Sequence, residues 1–123
     1  MKTALEYLIG ERIRDISTGL SSVYPINSPV DDTTKTSMLV YTQIDFENYN
    51  LSIFNNHEIA SPHNHSLINM IGQKVISVEE NEKEAIIELE NNDIIKIDLQ
   101  ESAYNDPEAM CLYGPNKLCV VWN

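Results

Sequence analysis

The sequence predicts a mostly β protein. Antiparallel meanders from two duplicated halves close into a sandwich or a strongly curved sheet, with one or two short helices. Three observations lead there: short runs in which apolar and polar residues alternate, turn-forming residues between those runs, and one segment that occurs twice. Alternation with period two marks half-buried strands, because successive side chains of an extended backbone point to opposite faces.

The 123 residues fit a single domain, 1–123, with halves at approximately 1–56 and 64–123. A chain of this size removes roughly 65% of its unfolded surface from water, enough for a core without covalent staples. Its apolar content of 42% is ordinary and spread along the chain, which argues against wholesale disorder.

The repeat begins each half. Leu8-Ile9-Gly10-Glu11-Arg12-Ile13-Arg14-Asp15-Ile16 matches Met70-Ile71-Gly72-Gln73-Lys74-Val75-Ile76-Ser77-Val78 at an offset of 62. Ser66 can cap a short helical turn through Ile71 that Gly72 ends in a left-handed conformation, and residues 3–10 repeat that logic. A strand follows in each copy, over 12–17 and 74–79.

Each copy then forms a hairpin. In the second, Ala85, Ile87 and Leu89 alternate with Glu88 and Glu90, and Ile95, Ile97 and Leu99 alternate with Lys96 and Asp98. A two-residue loop would mix the faces. A three-residue loop at Asn91, Asn92 and Asp93 keeps them apart, pairing Leu89 with Ile95, Ile87 with Ile97, Ala85 with Leu99 and Glu88 with Lys96. In the first copy Val40, Thr42, Ile44 and Phe46 share a face, Glu47-Asn48-Tyr49-Asn50 turns, and Leu51 and Ile53 return. An insertion over 18–37 reads as a strand fragment at 20–24 and then a long loop.

Residues 55–65, rich in Asn, His and Pro, read as a polar linker. A polar turn with Pro107 spans 102–108. The last hairpin runs over 109–113, turns at Gly114-Pro115-Asn116-Lys117 with Pro115 and Asn116 central, and returns over 118–122. The total is roughly nine strands.

No constellation reads as an active site. His57, His63 and His65 are the only histidines, and no carboxylate or cysteine follows the last two at ligand spacing. Cys111 and Cys119 flank a turn without neighbouring bases to lower a thiol pKa, and are expected reduced in the cytoplasm. No Gly-x-Ser-x-Gly elbow or phosphate-cradling glycine loop occurs. The expectation is a protein without catalytic residues, metal or cofactor. No signal peptide and no apolar run near the ~20 residues of a membrane span is visible, so a cytoplasmic location is expected.

Charge carries the functional information. Nineteen acidic and eight basic side chains give a formal net charge of −11. Such a field repels nucleic-acid backbones and anionic membranes and favours a cationic protein. The charge is concentrated over residues 79–108, in Glu79, Glu80, Glu82, Glu84, Glu88, Glu90, Asp93, Asp98, Glu101, Asp106 and Glu108, opposed by Lys83 and Lys96 alone. These eleven carboxylates read either as a solvated hairpin face or as an electrostatic docking surface that a partner's lysines and arginines would relieve.

The run Ile71-Gly72-Gln73-Lys74-Val75, the alternating Ile-Glu-Leu-Glu, the Asn/Asp turn, Ile-Lys-Ile-Asp-Leu, and then Asp106-Pro107-Glu108-Ala109 resembles small bacterial proteins encoded near toxin genes. These are immunity proteins of toxin systems such as contact-dependent growth inhibition. The second half carries most of the resemblance. It implies a protein that binds one cognate toxin domain, often a basic nuclease, and covers its active site. A departure is Asn92-Asp93 where the hairpin turn often has Gly. Two other readings stay open: an adaptor or structural subunit with no toxin, and a small metal-dependent enzyme using His57, His63 and His65.

Overall fold

The computed structural model describes residues 3–18, 38–39, 41–60, 70–104 and 108–123. Ten strands lie among them: β1 (Ile13–Thr18), β2 (Met38–Leu39), β3 (Thr42–Phe46), β4 (Asn50–Ile53), β5 (His57–Ala60), β6 (Val75–Glu80), β7 (Glu84–Leu89), β8 (Ile94–Asp98), β9 (Met110–Tyr113) and β10 (Cys119–Trp122). They form two five-stranded sheets, ordered β1-β3-β4-β9-β10 and β2-β5-β8-β7-β6. Every strand pairing is antiparallel.

The alternating pattern sorts side chains into rows. Across the first sheet Ile16, Ile44, Leu51, Leu112 and Val120 align on the inner face. Across the second, Val78, Ile87, Ile95 and Ile59 do the same. The buried members of both rows belong to one core cluster that also takes in Leu5, Leu8 and Met70. Each fully buried Leu or Ile contributes about 1.5–3 kcal/mol relative to exposure.

The first predicted helix is a 3-10 helix. Ala4–Leu8 is capped by Thr3, whose hydroxyl accepts from the Leu5 amide at 3.2 Å, and it buries Leu5 and Leu8. One turn is too short to repay the nucleation of an α-helix, so the tighter form persists. Met70 is also in 3-10 conformation, and Gly10 and Gly72 both follow at φ +90°. The predicted cap at Ser66 and the strand fragment at 20–24 lie outside the described residues.

The sequence offset of 62 also relates hydrogen bonds. Gly10 N donates to Val75 O at 2.9 Å, and Gly72 N to Ile13 O at 2.7 Å. Ile13 N donates to Gln73 O and Val75 N to Glu11 O, both at 3.0 Å. Each bond maps onto its mate when 62 is added to one residue and taken from the other. The seam is centred on the Arg12–Lys74 bridge and joins the starts of β1 and β6. Both strands have a bulge at equivalent places, after Ile13 and after Val75.

The halves then interlock. β1-β3-β4 and β6-β7-β8 are equivalent meanders, but the next strand of each crosses over. β5 leaves the first half and pairs with β8, while β9 leaves the second and pairs with β4. Residues 57–60 are therefore a strand and not linker. The composition of 55–65 hid it, because His57 and Glu58 carry polar groups that the sheet accommodates on opposite faces.

Two turns differ in detail from expectation. Leu89 N donates to Asp93 O at 2.9 Å, so the three-residue loop is Glu90, Asn91 and Asn92. Asn92 adopts the positive φ of 72° that this loop demands and that Asn tolerates. The faces are as expected, but the register moves by two: Ile87 pairs with Ile95, Ala85 with Ile97, and Glu88 with Ile94 in place of Lys96. In the last hairpin Leu118 N donates to Pro115 O, so Asn116 and Lys117 are central, at φ 60° and 62°. Proline cannot take a positive φ, which moves Pro115 to the first position.

Candidate functional site

Strand parity distributes the eleven acidic residues. On the outer face of the second sheet one row holds Glu79, Ile86, Lys96 and Glu58, from β6, β7, β8 and β5. Its neighbours hold Ser77, Glu88 and Ile94, and Glu84 opposite Asp98. The β6–β7 turn adds exposed Glu82 at the end of this face. Glu79, Glu82, Glu84, Glu88 and Asp98 thus form one surface, and Glu58, absent from the expected set, joins them.

Like charges directly opposite destabilise a strand pair, so Glu84 against Asp98 costs stability in the free protein. Lys96 moderates this with an ion pair to Glu84 at 3.3 Å. The only other ion pair among the described residues is Arg12–Glu90 at 3.2 Å. A cavity of ≈ 380 Å³ at this end of the sheet is lined by Glu58, Glu84, Asp98, Lys83 and Lys96, with Asn56, His57, Asn81 and Gln100. Both lysines of the acidic segment, Lys83 and Lys96, line this cavity, and Lys96 also stands opposite Glu58.

The other expected site residues go elsewhere. Glu80 has inward parity, in the row Glu80, Ala85, Ile97 and His57, and it accepts hydrogen bonds from Trp122 Nε1 at 3.1 and 3.2 Å and from Thr3 Oγ1. Glu90 sits at the seam with Arg12, whose guanidinium also donates to Gly72 O at 2.9 Å. Asp93 is buried, one carboxylate oxygen accepting from Asn91 Nδ2 at 3.0 Å and the other without a hydrogen bond. Asp93 is thus not available to a partner, because the turn folds its side chain inward. Glu101 is exposed on a 3-10 turn after β8. Glu108 lies just before β9 and accepts from Cys111 Sγ on that same strand, and Asp106 lies outside the described residues.

His57 is a core residue. Its Nδ1–H donates to Asn55 O at 2.7 Å, since a carbonyl can only accept. Nε2 is then the acceptor, and Thr42 Oγ1 donates to it at 2.5 Å. Burial pushes the His57 pKa below its ordinary value, against the opposing pull of the Asn55 carbonyl. With both ring nitrogens engaged, His57 has no lone pair to offer a metal. His63 and His65 lie outside the described residues, among which no group of three His, Cys, Asp or Glu side chains is placed to hold an ion.

Cys111 and Cys119 share the outer face of the first sheet but are diagonal, Cys111 opposite Val121 and Cys119 opposite Tyr113. Both are free thiols. Burial and the Glu108 carboxylate, which accepts from Cys111 Sγ at 3.0 Å, push the Cys111 thiol up to about 11. Trp122 is partly buried against the core at the end of β10, where its indole N–H donates to Glu80.

Among the described residues no helix is long and apolar enough to cross a membrane. Comparison with protein-family models, with curated proteins and with solved structures returned no match.

Proposed function

We propose that the protein is an immunity protein that acts in the cytoplasm, binding and neutralising a cognate toxin domain with a basic surface, such as a nuclease. The outer face of the second sheet and the β6–β7 turn are its docking surface. One observation carries this: Glu79, Glu82 and Glu88 stand on one face with Glu58 and Asp98, and among the described residues only Lys96 forms an ion pair there. Repulsion among these carboxylates is relieved when a partner's lysines or arginines arrive, which speeds encounter and selects the partner.

The test is co-expression with the product of the neighbouring reading frame. The pair should co-purify at low salt and dissociate progressively as screening shortens the Debye length from about 10 Å at 0.1 M towards 3 Å at 1 M. The triple variant Glu79→Lys, Glu82→Lys, Glu88→Lys should slow association by at least about tenfold. Failure to associate, or association indifferent to salt and to the triple variant, sinks the proposal.

A further inference from the structure

Among the described residues β10 ends the first sheet, and its main chain has a defined polarity. Gly114 N donates to Leu118 O at 3.1 Å, and Ala109 N donates to Trp122 O at 2.6 Å. The even-numbered residues of β10 therefore direct their peptide groups at β9. In an antiparallel ladder the alternate residues point the other way, so Cys119 and Val121 aim their N–H and C=O groups at the edge, where no described strand pairs with them. Exposed edges are normally blunted by lysine, proline or a bulge. The Cys119–Trp122 strand has no charge and no proline, and its register against β9 is unbroken. Two of the large exposed apolar side chains flank the edge on its outer face, Tyr113 at 47% and Val121 at 38% exposure. At the Trp122 end the edge meets acid, because the Trp122 indole is bonded to Glu80, the last residue of β6, and so holds the β6–β7 turn beside it.

We propose that β10 is a strand-addition site that takes an extended, cationic segment of the partner as a sixth strand of the first sheet. Main-chain bonds to Cys119 and Val121 supply affinity, Tyr113 and Val121 take alternate apolar side chains, and the acidic turn takes lysine or arginine at the Trp122 end. The proposal rests on the cationic character of the partner argued above. It favours a partner's segment over a second copy, because each copy brings a further −11 charges to the same edge.

The probe is a fluorescein-labelled peptide of about ten residues alternating lysine and valine, long enough to span a strand. Its binding to the full chain is read by fluorescence anisotropy. Val121→Pro removes an outward donor at an edge position where proline is tolerated, and Val121→Thr keeps the donor. Val121→Pro should weaken binding by about tenfold, the ratio expected for one lost main-chain bond, and Val121→Thr should not. Far-UV circular dichroism checks the fold, and Cys119→Pro serves if Val121→Pro unfolds.

Four outcomes overturn the proposal. The first is failure of the peptide to bind the wild type, and the second is equal binding of an alternating glutamate–valine peptide. The third is a dimer in sedimentation equilibrium that Val121→Pro dissolves, making a second copy the occupant. The fourth is full affinity in both proline variants while the triple lysine variant loses it. That last result discards the edge and leaves the docking face of the second sheet standing.

Discussion

Thr42→Val removes one hydroxyl from the interior and leaves its surroundings in place. Thr42 stands on the first sheet and His57 on the second, and their 2.5 Å hydrogen bond crosses the core between them. The two residues are 0% and 3% exposed, so no water replaces the lost donor. Valine matches threonine in shape, and the cost is that of leaving Nε2 buried without a partner, about 1–3 kcal/mol. At about 4 °C per kcal/mol for a chain of this length, Tm falls by roughly 4–12 °C. The single tryptophan, Trp122, reports unfolding by fluorescence in urea. The pH dependence checks the same node. Burial depresses the His57 pKa below its ordinary value of 6.5, so below that pH the unfolded chain binds more protons than the folded one. The contribution of His57 is complete above pH 6.5 and is lost as pH falls towards the depressed value, with a slope of at most about 1.4 kcal/mol per unit. His57→Gln should flatten this component. A Thr42→Val melt within about 1 °C of wild type would refute the reasoning, being far below the cost of a buried orphan acceptor. So would an unchanged acid slope in His57→Gln.

Two further outcomes follow from the seam and the last hairpin. Gly10→Ala and Gly72→Ala should each destabilise by about 1–2 kcal/mol and by similar amounts, because both sit at φ +90° with nothing within 4 Å of the added methyl, which leaves backbone strain as the whole cost. Urea midpoints measure this, and a clear inequality would show that the two sites are not equivalent. A disulfide reagent at about pH 8 should titrate Cys119 quickly in the folded protein and reach Cys111 only on unfolding, since the buried Cys111 thiol stays protonated at that pH. Two fast equivalents would contradict the burial of Cys111.

The mostly β character was legible because period two is local. Ala85, Ile87 and Leu89 against Ile95 and Ile97 declare their shared face without help from the rest of the chain. The register was less legible, since it depends on which residue of Glu90-Asn91-Asn92 takes a positive φ, and Asn and Asp compete for that role. The acidic surface was legible as composition. Its dispersal was not: Glu80 is taken up by Trp122 and Thr3 because β6 extends to it, and Asp93 is buried because its turn closes one residue early. Glu58 escaped notice because its strand, β5, reads as polar linker.

By itself the sequence determined the alternating strands, the repeat at offset 62 with its two glycines, and the excess of negative charge in the second half. These are properties of neighbours along the chain or of composition. The tertiary structure alone decided that the halves exchange β5 and β9, that Thr42 meets His57 across the core, that Trp122 holds Glu80, and that β10 is the edge of its sheet among the described residues. Each of those depends on hydrogen bonds or contacts between residues far apart in sequence, whose pairing is chosen by the closure of a shared core and leaves no mark on local pattern.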